Sequence, residues 1–337
     1  MAGIVEIAEL AGVSPATVSR ALRGLHHVNE KTRAKIVKAA QELDYPLRPE
    51  VAPPGEDGRT NTIGVIAPFL FRWYFAQALA GVEEALREAG MDLLLYNFSQ
   101  IDARQRIFLQ RKMIDKVDGL IVISLPPTED EFRRILNLGI PLSLLGVTDS
   151  RCPSVSIDDV HGAEIATQHL VDMGHTDIAL MIGQNDQKYD FKVSSQRKEG
   201  FLKVLERNGL EFDPRNELLA DYDSATAELV MDDFLRRKKL PTAIFCGSDE
   251  MAFGVYKSLL KKGVRVPEDF SIVGYDGHEL ASALNLTTVA QPVRFLGQLA
   301  ASQVLSQITK PGTEQRAMIV PTSLVQRGSV AKLNELT

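Results

Sequence analysis

Polar and apolar positions change their period twice along this chain. Over residues 4–12, IVEIAELAG carries its apolar side chains at helical spacing and stops at a glycine. A second helix is predicted at once, over PATVSRAL: Ser14 can cap it and Pro15 suits its first turn. Two helices joined by about three residues, with Gly12 and Val13 in the bend, form a helix-turn-helix pattern, although a solvated αα-corner fits the two helices equally well. A third helix is expected over NEKTRAKIVKAAQEL, where Ile36, Val37, Ala40 and Leu43 share one face. The stretch LRPEVAPPGEDGRTN then has nothing to bury and reads as a linker.

From Thr62 the pattern becomes an alternation of strand-length apolar runs and amphipathic stretches. The runs are TIGVIA, MDLLLYNF, DGLIVIS, PLSLLG, DIALMIG, PTAIFCG and FSIVGYD. The helical stretches between them are FAQALAGVEEALREAG, EDEFRRILNLG, GAEIATQHLVDMG, RKEGFLKVLERNG, TAELVMDDFLRRK and EMAFGVYKSLLKKG, most of them closed by a C-terminal glycine. Near-continuous apolar strands separated by helices imply parallel sheet covered on both faces. So many units are too much for one open sheet, so the expected fold class is an all-α helix-turn-helix headpiece plus two doubly wound α/β lobes around a cleft.

In such sheets ligands bind beyond the carboxyl ends of the strands. That rule gathers Phe69, Trp73, Tyr74, Asn97, Ser124, Arg197, Ser248, Asp249 and Asp276. Aromatic faces, carboxylates and an arginine suit a polyhydroxylated ring. Each also has a plainer reading: Phe69, Phe71, Trp73 and Phe75 alternate as core residues do, and Arg197 with one Asp could be a structural ion pair.

Composition adds exclusions. With 337 residues, 45% apolar and 24% charged, the chain has the profile of an ordinary globular protein. No apolar run approaches the roughly 20 residues of a membrane span, and Glu6 and Glu9 interrupt the only apolar stretch near the N-terminus, unlike a signal peptide. Cys152 and Cys246 are far apart and suggest neither a disulfide framework nor a metal motif, so a cytoplasmic location is expected. The net charge of −6 argues weakly against nucleic acid, yet no acid falls between Gly12 and Asn29 while Arg20, Arg23, His26 and His27 do. A local positive face is enough for phosphate contacts. No phosphate-binding loop, nucleophile elbow or histidine pair at metal-ligand spacing occurs, so neither an enzyme nor a cofactor is implied.

Taken together, VEIAELAGVSPATVSRAL with HHVNEKTRAKIVKAAQELDY, then TIGVIAP, VDGLIVIS, QRKEGF, GSDEMAFGVYKSL, PEDFSIVGYDG and LTTVAQPV, resemble the lactose-repressor (LacI/GalR) family over nearly the whole chain, in order. The resemblance implies a DNA-binding headpiece (1–46), a hinge linker (47–61) and an effector-binding and dimerisation core (62–337). The core's first lobe would hold about 62–160 and 292–322, and its second about 161–291 and 323–330. It implies a homodimeric regulator, commonly a repressor, on a palindromic double-stranded DNA operator. By position, Ser14 caps the reading helix, and Pro15, Ala16 and Arg20 fall where the family reads base edges. Thr17, Ser19, Arg23, His27 and Thr32 fall where it holds phosphates. Arg197, Ser248, Asp249 and Asp276 match effector-contacting positions, Tyr222 lies near one that is often aromatic, and Gln291 near one that can touch ligand. A sugar or derivative is the first expectation for the effector and a nucleoside the second, while Arg72 leaves room for an anionic one.

Two regions depart from the family, the pocket and the hinge. In the pocket, Phe69 and Arg72 stand in the loop that often carries Asp and then Asn, and Ser248 replaces a frequent Asn. The family's usual hinge helix carries a leucine wedge, where this chain has RPEVAPPGEDGR; Pro53, Pro54 and Gly55 oppose a helix and Glu56 and Asp57 oppose phosphate. A hinge that does not kink the operator is expected. The short tail RGSVAKLNELT holds no heptads, which favours a dimer over a coiled-coil tetramer. The alternative, a solute-binding transport protein of the same two-lobe fold, has no use for residues 1–46.

Overall fold

A computed structural model describes residues 4–21, 28–43, 59–97, 116–137, 139–184, 191–312 and 316–333. The described residues fall into two compact units, one holding the three N-terminal helices and the other holding both sheets.

In the first unit, α1 (Ile4–Ala11) ends at Gly12, which takes φ +68° with open space around it. The chain turns and α2 (Pro15–Ala21) starts two residues after Val13, capped as expected: Ser14 Oγ accepts the Thr17 N–H at 3.1 Å. Asn29 caps α3 (Glu30–Glu42) through the Thr32 N–H at 2.9 Å. Ile7, Ala8, Val18, Ala21, Ile36, Ala39 and Ala40 form the core of the three helices. The hinge expectation at 47–58 lies outside the described residues.

The second unit contains two six-stranded sheets. The first runs β11 (Ala317–Ile319), β5 (Ser154–Ser156), β4 (Leu142–Leu145), β3 (Gly119–Ile123), β1 (Thr62–Ala67), β2 (Asp92–Asn97). The second runs β12 (Ser323–Val325), β10 (Thr287–Ala290), β9 (Ser271–Asp276), β8 (Ala243–Cys246), β6 (Ile178–Gly183), β7 (Glu217–Ala220). Ladders β3–β1, β3–β4, β4–β5 and β5–β11 are parallel, as are β7–β6, β6–β8, β8–β9 and β9–β10; β12 runs antiparallel against β10. Central strands such as β3, β6 and β9 are buried along their whole length, as strands covered on both faces must be.

Helices α4 (Trp73–Glu88) and α5 (Glu129–Leu136) belong with the first sheet, and α6 (Asp159–Asp172), α7 (Val193–Arg207), α8 (Ser224–Phe234) and α9 (Asp249–Lys261) with the second. Helix α10 (Val293–Thr309) follows β10 of the second sheet but packs on α4, β3 and β4 of the first. The chain therefore passes between sheets three times: β5 to α6, β10 to α10, and β11 to β12. Helix α10 and strands β5, β7, β10, β11 and β12 were not among the elements that the apolar pattern predicted.

Candidate functional site

A cavity of about 440 Å³ opens at the carboxyl ends of the strands of both sheets, where the switch-point rule places ligands. Phe69, Tyr74 and Ser124 line it from the first lobe, and Arg197, Tyr222, Ser248, Asp276 and Gln291 from the second.

Arg197 is the centre of its polar wall. The second turn of α7 carries it, 4% exposed, and its Nε donates to Asp159 Oδ1 at 2.8 Å. One terminal nitrogen donates to the Gly247 carbonyl and lies 3.6 Å from Asp276 Oδ1. The guanidinium carbon sits 3.7 Å above the Tyr275 ring. Burial works against its charge, but Asp159 and Asp276 outweigh burial and raise its pKa. One cation thus serves two carboxylates, buried Asp276 and half-buried Asp159. Burial pushes Asp276 up to about 7 although Arg197 and the Gln291 amide pull it down, and burial likewise raises Asp159 against the pull of Arg197.

Asp276 itself ends β9 at φ +120°, a region that side chains seldom enter. Gln291 steadies it twice, donating its side-chain amide to Oδ1 at 2.7 Å and its main-chain N–H to the Asp276 carbonyl at 3.1 Å. Tyr222 (φ +54°) is also in the left-handed region; its hydroxyl meets Ser194 Oγ at 2.9 Å, and its ring fits because Gly183 lacks a Cβ, which would stand 1.9 Å from it. Ser248 lines the cavity while its Oγ caps α9 through the Met251 N–H. On the facing wall Ser124 Oγ donates to the Tyr74 hydroxyl at 3.2 Å, and burial pushes the Tyr74 phenol up to about 12. Phe69 packs against Phe75 and, 6.1 Å away across the cleft, Phe191, with the Arg72 guanidinium over its outer face.

Three of the expected residues lie off the cavity. Asn97 is exposed and spends its amide on the Ala67 carbonyl at 3.0 Å. Trp73 turns to the second lobe, where its indole N–H donates to Glu279 at 2.6 Å and its ring stacks on His278. Asp249 is fully buried beneath the cavity, accepting from the Thr288 hydroxyl and the His278 N–H; burial pushes it up to about 8. The sequence reading missed other lining groups, among them Asp158, Asp159, Lys192, Gln196 and Glu250. Most sit in the first turns of helices, where acids look like caps; Asp158 does cap α6 through the His161 N–H.

On α2, Pro15, Ala16 and Arg20 are exposed, Thr17 and Ser19 are half-buried, and Val18 and Ala21 face the core. Ser14 is exposed, its hydroxyl 2.8 Å from that of Thr17, and Thr32 is half-buried in the first turn of α3. Arg23 and His27 lie outside the described residues. Among those described, no group of three or more His, Cys, Asp or Glu could hold a metal ion, and no helix is long and apolar enough to cross a membrane. The cavity offers acceptors, donors and flat apolar faces, an arrangement for recognition.

Residues 3–46 match the family profile described as bacterial regulatory proteins, lacI family, and residues 167–330 match that of a periplasmic binding protein-like domain. A transcriptional repressor named PurR from Vibrio parahaemolyticus is 33% identical over 99% of this chain and 100% of its own length. A solved complex of the transcriptional regulator CelR with cellobiose is similar at 29% identity and a TM-score of 0.71, covering 98% of this chain and 100% of that one. A lac repressor dimer bound to operator and the anti-inducer ONPF is similar at 27% identity and a TM-score of 0.71, covering 98% and 99%.

Proposed function

We propose that this chain, which belongs to the lacI family of bacterial regulatory proteins and is thus a DNA-binding transcriptional regulator rather than an enzyme, is a cytoplasmic repressor whose hold on DNA is set by a small polar molecule in the cleft. It acts as a homodimer on a palindromic operator, one α2 in each of two successive major grooves. Arg20 is the natural guanine partner, worth roughly 1–3 kcal/mol of discrimination. Pro15 and Ala16 contribute shape, and Ser14, Thr17, Ser19, Arg23, His27 and Thr32 hold the backbone and fix register. The lac repressor relative, solved as a dimer on operator, supports this reading. The domain division at 1–46, 47–61 and 62–337 belongs to the same proposal.

The effector is a sugar or sugar derivative. One observation carries this: a buried arginine and two carboxylates, Asp159 and Asp276, face aromatic side chains across a closed-in cleft. Each carboxylate accepts two hydroxyl donors, the guanidinium meets a ring or hydroxyl oxygen, and Phe69, Tyr74 and Tyr222 cover apolar ring faces. Cellobiose in the CelR relative supports the same class. The approach of Phe69 and Phe191 favours a flat ring as the second reading, a nucleobase or nucleoside.

Calorimetric titration of the full chain with cellobiose, ribose, adenine and adenosine tests both, with Arg197→Ala alongside. One class is expected to bind, to lose binding in Arg197→Ala, and to change operator affinity in a gel shift. Binding that Arg197→Ala leaves intact would remove the cleft as the site.

A further inference from the structure

The residues that follow β9 lead from the cavity to the opposite lobe in four steps. Asp276 lines the cavity. Gly277 follows at φ +76°, where an added Cβ would stand 2.7 Å from that of Ala290. His278 stacks on Trp73 of the first lobe, ring centroids 5.1 Å apart, and Glu279 accepts the Trp73 indole N–H. Two left-handed residues in succession, one of them not glycine, cost free energy and persist only where the surroundings hold them.

Asp249 supplies that hold. Its Oδ2 accepts the His278 N–H at 2.8 Å and its Oδ1 accepts the Thr288 hydroxyl at 2.7 Å, while the Thr288 hydroxyl oxygen in turn accepts the Gly277 N–H at 3.4 Å. Gly274 makes the approach possible, since a Cβ there would stand 2.1 Å from Oδ1. Two donors on one buried carboxylate, with the Thr288 hydroxyl relaying to Gly277, form a rigid bracket. The first turn of α9 therefore grips the turn whose His278 stacks on Trp73.

We propose that Asp249 is a positioning residue: it fixes the Asp276–Glu279 turn and so joins the cleft carboxylate Asp276 to the lobe-to-lobe contact at Trp73. The effector part of this rests on the cavity being the effector site. A ligand that draws on Asp276 then shifts the support of Trp73, and by reciprocity the Trp73 contact sets the aim of Asp276.

Trp73 is the chain's single tryptophan, so its emission reads the far end of the turn with no ligand added. Emission maximum and acrylamide quenching are measured on the full chain for wild type, Asp249→Asn, Thr288→Val and Ser258→Ala. Asp249→Asn is expected to red-shift the emission and raise the quenching constant, although the hydrogen bonds of Asp249 end at the turn. Thr288→Val, which keeps the shape and deletes one donor, is expected to do the same to a smaller extent. Ser258→Ala, in the same helix but bonded to Asp232, should change neither. Unchanged emission in Asp249→Asn, or an equal change in all three variants, overturns the proposal. Should Asp249→Asn not fold, Thr288→Val against Ser258→Ala decides the question. Because no effector enters, failure here is separate from failure of the calorimetry with Arg197→Ala.

Discussion

Arg197 shows how far one buried charge can reach. Two carboxylates lean on it, yet burial, which Arg197 and Gln291 offset only in part, pushes Asp276 up to about 7. An acid whose folded pKa exceeds its unfolded value binds its proton more tightly when folded. Asp276 therefore stabilises the fold below about pH 4, and that contribution is lost as pH rises towards 7; Asp249, at about 8, carries the same trend further. Asparagine does not ionise, so the thermal midpoint of Asp276→Asn should rise relative to wild type between about pH 4 and about pH 7. A difference constant across that window would mean that Asp276 stays ionised throughout. At this scale the sequence is partly legible. VGYD ends on Asp276 because strand ends face the cleft, and QRKEGF carries Arg197 in the helix that follows β6. Asp159 stayed hidden because two acids opening a helix look like caps. Ser248 and Asp249 are neighbours, yet one lines the cavity and the other turns beneath it, and a string of residues carries no such depth.

Helix α10 is the element whose absence from the sequence reading is most instructive. Its buried apolar residues, Val293, Leu296, Gly297, Ala300, Ala301 and Val304, follow helical spacing. Half of them are small, while Phe295, Leu299 and Leu305 lie outside that stripe, so the apolar contrast is weak. Strands β5, β10, β11 and β12 have three or four residues, too few to show a period. The small residues of α10 have a packing purpose. An alanine Cβ at Gly297 would stand 2.2 Å from the Ala78 carbonyl oxygen of α4, and one at Gly81 would meet the Arg294 carbonyl oxygen still closer. Glycine to alanine inside a helix normally stabilises by roughly 0.5–1 kcal/mol. Gly297→Ala should do the opposite, losing about 1–3 kcal/mol in urea unfolding because backbone, not a pliable side chain, blocks the methyl group. A gain in stability would show that α4 and α10 can separate at little cost.

Across the whole molecule, each unit carries its own apolar interior. The three N-terminal helices close around Ile7, Val18 and Ile36, while the two sheets are tied by three chain crossings and share no core residue with those helices. The sequence between the units, LRPEVAPPGEDGRTN, is rich in proline and glycine and contains one trypsin site, Arg59, since Arg48 is followed by proline. Brief trypsin treatment should cut there first and leave a fragment from residue 60 onward. That fragment should keep the Trp73 emission and the thermal transition of the intact protein, since α4, the 276–279 turn and both sheets stay in one piece. It should lose operator binding, because α2 goes with the small fragment. The released headpiece alone should bind operator weakly and with a shallower salt dependence, for it can neutralise only the phosphates of one half-site. Tight operator binding by the large fragment would place the DNA-reading surface in the two-sheet unit and overturn the division of labour proposed for the chain.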